Sequence, residues 1–185
     1  MIAHPSVERV LHGERGILAG INACIACKCV MSAVTLIYAA IDAMAGLTRP
    51  VDKVETDSTY FKDWAERYFL RFLDQPVTPA ELYGARCGVL HAHSPESRVS
   101  RDRTGKTVVC KWRHGHRPDD PLLAARTSTS IILEVEALLE AFDRGIELFH
   151  NRIDAEPDLK LRVDHHVQEL LCYEPWHPVP IVVAA

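Results

Sequence analysis

From Gly16 to Leu47, alanines and the residues Ile17, Leu18, Ile21, Ile25, Val30, Val34, Ile37, Ile41 and Met44 recur at three- and four-residue steps. That period predicts one long helix, stopped by Gly46 and then Arg49-Pro50. It is apolar nearly all round, so it is expected to be buried in a core or against a partner chain. Its most apolar run, Cys29 to Ile41, is bounded by Lys28 and Asp42. That run is too short for a bilayer span, which takes about 20 residues.

Asp57-Ser58 can cap a second helix carrying Tyr60, Phe61, Trp64, Tyr68, Phe69 and Phe72 between charged residues, with Pro76 as its end. Thr78-Pro79-x-Glu81 supplies an N-cap, a proline at N1 and a glutamate at N3. A third helix is therefore expected from Pro79 to about Ala92, terminated by Ser94-Pro95. The pattern then changes. Thr107-Val-Val-Cys-Lys-Trp112 is rich in β-branched residues, follows Thr104-Gly105 and precedes His114-Gly115, which reads as a short hairpin or an extended excursion. Ser128 or Ser130 is expected to cap a fourth helix, with Ile132, Val135, Leu138, Leu139, Phe142, Ile146 and Phe149 on its apolar face. A fifth runs from about Pro157 to Leu171. The expectation is a mainly α single domain over 1–185: a helical bundle of about five helices with a small β-hairpin insertion. The basic hairpin covers about 98–117, and 175–185, with three prolines, forms an irregular C-terminal tail.

Composition keeps this picture and adds an asymmetry of charge. With 185 residues, 48% hydrophobic and 25% charged, the chain resembles an ordinary globular protein with one core. A formal net charge of -4 argues against a surface that coats nucleic acid throughout, but leaves room for a local basic site. Arg98 to Arg117 holds seven Lys/Arg and one Asp, a local +6 against -10 elsewhere. Glu8 and Glu14 interrupt the N-terminal stretch, so no secretory signal is read there. The six cysteines show no disulfide framework. A cytoplasmic protein with reduced thiols is expected, with no membrane attachment. Neither a phosphate-binding glycine loop nor a serine nucleophile motif is present.

The third helix carries the chemistry: Glu81-Leu-Tyr-Gly-Ala-Arg86-Cys-Gly-Val-Leu-His91-Ala-His93. Five residues apart, Arg86 and His91 project roughly 140° apart on an ideal helix; an end loosened by Gly88 and Pro95 could turn both toward one cleft. Such a pair suits phosphodiester cleavage. Histidine titrates near neutrality and can take a proton from a ribose 2′-hydroxyl or protonate the departing 5′-oxygen. Arginine stays charged and offers a planar fork to phosphate oxygens. No metal or cofactor is required. Asp42 ends the apolar run, where it either pairs with a cation such as Arg86 and orients it, or sits at the surface. His93 is a further second partner for the pair. In the basic segment, Arg98, Arg101, Arg103, Lys106, Lys111, Trp112 and Arg113 could hold a phosphate backbone and stack a base. The competing reading is a solvated hairpin whose charges keep an edge strand from pairing.

An arginine, four to six residues and a histidine on a late helix of a small bundle resemble the HEPN superfamily. The specific match is Arg86 and His91, with Cys87 where the family often has a polar residue; the helical order matches loosely from Gly16 to Leu171. The resemblance implies a homodimer whose two motifs form a composite site. It also implies RNA as substrate, an antitoxin or other protein as a possible partner, and either metal-independent ribonuclease activity or a non-catalytic role. The spacing is not unique, because Arg144-x5-His150 repeats it. Arg86 is favoured by small apolar surroundings and by a helix leading straight into the basic segment.

Two other readings compete with this one. One is a non-enzymatic helical module for dimerisation or partner binding. The other is a zinc-binding protein using His91, His93, Cys110, His114 and His116. Cys24, Cys27 and Cys29 are expected to be core residues, and His165, His166 and His177 to be surface or packing residues.

Overall fold

The computed structural model describes residues 4–13, 16–92, 106–112 and 130–170. It is mainly α-helical with a small two-stranded sheet. The helices are α1 (Pro5–His12), α2 (Ile17–Ala26), α3 (Val30–Gly46), α4 (Ser58–Trp64), α5 (Pro79–Ala92), α6 (Val135–Ala155) and α7 (Pro157–His166). The strands are β1 (Thr107–Lys111) and β2 (Ser130–Glu134).

The expected long first helix is two helices. Lys28 takes a left-handed φ of 57°, Cys29 N–H donates to the Cys24 carbonyl at 2.8 Å, and Lys28 N–H donates to the Ile25 carbonyl at 2.9 Å. These are the paired 6→1 and 5→2 bonds of a Schellman motif, here with lysine in the position that glycine usually takes. The chain folds back, so a Cβ on Gly20 would meet Leu36 at 3.4 Å. Each helix buries a stripe, including Leu18 and Ile21 on α2 and Val34, Ile37, Ile41 and Met44 on α3. The break leaves Cys27 and Cys29 exposed and Cys24 half-buried. The core expectation therefore holds only in part for Cys24 and fails for the other two.

Asp57 caps α4 by accepting from Thr59 N–H at 2.6 Å. The helix continues into a π-turn over Ala65–Phe69 and a 3₁₀ turn over Leu70–Phe72. Trp64, buried here, lies 5.9 Å from Phe149 and 6.1 Å from Phe142 between ring centroids, while Tyr68 and Phe149 meet edge-on at 5.1 Å. The π-turn brings the Tyr68 carbonyl against Gly145 of α6, so closely that a Cβ there would sit 2.5 Å from the oxygen.

The hairpin expectation is corrected. β1 pairs in parallel with β2, Thr107 opposite Ser130 through Lys111 opposite Glu134. The partner strand lies 19 residues beyond β1's end, as a parallel pair needs a long crossover rather than a tight turn. Ser130 thus begins a strand instead of capping a helix, and α6 starts at Val135 with no side-chain cap. The apolar pair Ile131 and Leu133 faces inward from β2. The helix α1, not anticipated from the sequence, is secured by buried Val7 and Leu11, four residues apart. Regular helix in α7 ends at His166 rather than Leu171, followed by turns through Glu169. The tail at 175–185 lies outside the described residues. No helix among the described residues is long and apolar enough to cross a membrane.

Candidate functional site

Helix α5 forms where the capping box predicts it. Glu81 N–H donates to Thr78 Oγ1 at 3.2 Å, and Thr78 N–H donates back to Glu81 Oε2 at 2.9 Å. The other carboxylate oxygen of Glu81 accepts from Lys106 N–H at 2.8 Å, tying the approach to β1 onto the helix. These bonds to backbone N–H groups outweigh burial and hold the Glu81 carboxyl below its usual range. Leu82, Ala85 and Val89 bury one face of α5. Tyr83, Arg86 and Cys87 lie at half-buried positions and His91 is exposed.

Arg86 Nη1 lies 3.3 Å from His91 Nε2. No distortion of the helix is needed, because α5 stays regular to Ala92 and the length of the arginine side chain closes the angular gap. A guanidinium only donates, so the imidazole accepts at Nε2 and carries its proton on Nδ1. The opposite edge of Arg86 is held by Asp42: Nε donates to Oδ2 at 2.7 Å, and Nη2 lies 2.6 Å from the same oxygen. Of the two alternatives for Asp42, the pairing is the one found. Burial raises the Asp42 carboxyl, with Arg86 and His91 pulling against it. Burial also works against the charge on Arg86, but there the bond to Asp42 outweighs it and raises the guanidinium further. Both partners thus shift upward, desolvation dominating one and pairing the other.

Two neighbours, Tyr83 and Lys62, were not singled out from the sequence. The Arg86 guanidinium lies 5.8 Å from the centre of the Tyr83 ring, and Lys62 Nζ lies 5.1 Å from it. Tyr83 also packs edge-on against Phe61 at 5.5 Å. Burial raises the Tyr83 hydroxyl, with the Cys87 thiol adding to the effect, and Cys87 Sγ is 4.0 Å from Arg86 Nη1. The signal for Tyr83 was its place three residues before Arg86 and four before Cys87, a same-face spacing on a helix.

The second arginine–histidine pair is put to different use. The Arg144 guanidinium stacks 4.3 Å from the Phe72 ring centre. His150, 3% exposed, accepts from His4 N–H at 3.3 Å through Nδ1, and its Nε2 lies 3.1 Å from Glu8. Burial lowers its pKa against the pull of Glu8. These contacts fasten α1 onto α6.

Of the proposed RNA contacts, Lys106 is exposed, Lys111 Nζ lies 3.6 Å from Glu134, and Trp112 is half-buried against the core. Arg98, Arg101, Arg103 and Arg113 lie outside the described residues, as do His93, His114 and His116. For the zinc rival, burial pushes the Cys110 thiol up to about 12, against a stabilising bond from Tyr38. Among the described residues, no cluster of three ligating side chains includes His91 or Cys110.

No family model, curated protein or solved structure matches the chain.

Proposed function

We propose that the protein is a HEPN-like RNA-binding protein that cleaves RNA without a metal through Arg86 and His91, in a site completed by a second copy of the chain. The observation that carries this reading is the Asp42–Arg86–His91 contact line, in which a charged fork and an imidazole meet at 3.3 Å on an accessible helix face. In the reaction, Arg86 Nη1 turns from His91 to the phosphate, and the freed His91 Nε2 takes the proton of a ribose 2′-hydroxyl as its oxygen bonds to phosphorus. The bond from phosphorus to the 5′-oxygen breaks, and that oxygen is protonated by a second imidazole or by water. The products are a 2′,3′-cyclic phosphate and a 5′-hydroxyl. Arg86 neutralises charge on the non-bridging oxygens, and Asp42 positions Arg86.

The homodimer has support from α3. Met31, Ser32 and Ala39 are exposed, uncharged and spaced along the face that leads to Asp42. A second copy laid on that face would bring two Arg86–His91 pairs together. An antitoxin-like partner chain is the other occupant consistent with it.

The deciding experiment incubates purified protein with generic RNA in EDTA. Cleavage should occur and be abolished by His91→Ala and by Arg86→Ala, while His150→Ala is judged only after its folding is checked. Cleavage that survives His91→Ala sinks the assignment. RNA binding without cleavage would leave a non-catalytic member of the same kind, and neither would favour the partner-binding module. Scattering should give twice the chain mass, reduced to one by Ala39→Arg.

A further inference from the structure

The end of α7 holds a second cluster of chemistry, independent of the α5 site. His165 and His166 end the helix, and the turn beyond it brings the Glu169 carboxylate back to both rings. One ligand-capable atom from each lies within 4.8 Å of the others.

The hydrogen bonding of His166 gives the cluster its meaning. The side chain is 1% exposed, and its Nε2 lies 3.2 Å from the Pro50 carbonyl. A carbonyl only accepts, so Nε2 carries a proton. In a neutral ring, Nδ1 is then a bare lone pair, and it faces Glu169 Oε2 at 3.3 Å. A lone pair set against a carboxylate oxygen is repulsive; the Arg49 guanidinium on that oxygen offsets part of this, and a second ring proton or a metal ion between the two would remove it. Donation from the far ring nitrogen to a backbone carbonyl is also how metal-binding imidazoles are held in tautomer and orientation.

Glu169 is held in place as well. Arg49 is anchored by bonds from Nε to the Lys53 carbonyl at 2.9 Å and from Nη1 to the Gly46 carbonyl at 2.8 Å. Its Nη2 meets Glu169 through Oε2. The contacts of Glu169 to Arg49 and His166 both use that oxygen, so neither engages Oε1. A shallow, open depression lined by Arg49, Glu55, Thr56, His166 and Glu169 among others adjoins the cluster.

We propose that His165, His166 Nδ1 and the Glu169 carboxylate bind one divalent transition-metal ion of the zinc class, with Pro50 and Arg49 as positioning partners. Two imidazoles and one carboxylate make a recognised zinc set that leaves a coordination position for water or a small anion, and the open depression beside the cluster gives solvent access to it.

The test uses untagged full-length protein, stripped with EDTA, dialysed, and titrated with zinc chloride by calorimetry. One ion per chain is expected. His165→Ala and Glu169→Gln, both at exposed positions, should keep the fold by circular dichroism and weaken binding at least about tenfold. Cys27→Ser/Cys29→Ser should leave binding unchanged, and cobalt loading should give a spectrum without thiolate charge-transfer bands. The proposal is overturned if no zinc binds, if binding is indifferent to both His165→Ala and Glu169→Gln, or if it is lost with the cysteines. A metal-free protein whose His166 carries both ring protons at neutral pH, and which takes up no zinc, would assign the cluster to a purely ionic Arg49–Glu169–His166 clamp.

Discussion

Asp42 Oδ2 takes both Nε and Nη2 of Arg86, at 2.7 and 2.6 Å, across 44 positions of sequence. With those two nitrogens committed, Nη1 is the edge that remains for His91. The pair therefore selects a rotamer of Arg86 as well as neutralising it.

Asp42→Asn should separate positioning from stability. The pair is partly exposed, so loss of its charge should change unfolding free energy by no more than about 1 kcal/mol. RNA cleavage should fall by about tenfold or more, because a misplaced fork loses transition-state contact. Matched denaturant melts and cleavage rates check this; full activity in Asp42→Asn would remove Asp42 from the site.

His150 predicts an acid-sensitive attachment of α1. Its folded pKa is lowered, first by burial, so the unfolded chain binds the extra proton more readily. The stability it contributes is present above the ordinary histidine value of about 6.5 and is lost as pH falls below it through the lowered folded value. Between pH 7 and pH 5 the melting temperature should drop, by roughly 2–4 °C for each kcal/mol lost. His150→Asn, which keeps an acceptor for His4 N–H, should flatten that profile. An equal slope in the variant would place the sensitivity elsewhere.

Two glycines should respond oppositely to alanine. A Cβ at Gly145 would sit 2.5 Å from a backbone oxygen in the π-turn, and neither helix can yield cheaply, so Gly145→Ala should cost about 1–3 kcal/mol. A Cβ at Gly20 meets only the end of the Leu36 side chain at 3.4 Å. Gly20→Ala should stabilise by about 0.5–1 kcal/mol through reduced backbone freedom in the unfolded chain. Denaturant midpoints of the two variants, compared in one buffer, decide the matter; a neutral Gly145→Ala would refute the close approach.

Lys28 sits in the left-handed region at the α2–α3 turn, a conformation that costs a side-chain-bearing residue about 1–2 kcal/mol. Lys28→Gly should therefore raise stability by up to about 1 kcal/mol, a helix-capping gain visible in a thermal melt. A loss would mean that the lysine side chain contributes contacts beyond its backbone role.

Much of the helical framework was legible before any fold was known. The stripes of α4, α5, α6 and α7, and the Thr78–Glu81 box, rest on bonds between residues three or four apart, so period and caps suffice to reveal them. The same applies to the candidate pair on α5, although its spacing could not rank Arg86 and His91 above Arg144 and His150. The break at Lys28 was hidden because its neighbours are as apolar as a continuous helix would be, and the Schellman bonds use backbone alone. Helix α1 was hidden because only Val7 and Leu11 mark it, and its fastening to His150 spans 146 positions.

By itself, then, the amino-acid order determined most of the helical segments, though not α1 or the break before α3, together with where α5 begins and that an arginine and a histidine share that helix. Tertiary structure alone decided that β1 pairs in parallel with β2, that Asp42 holds Arg86 in place, and that His150 serves packing. The reason is physical. Helical hydrogen bonds close over four residues, whereas strand pairing, ion-pair choice and desolvation depend on which distant segments the core brings together.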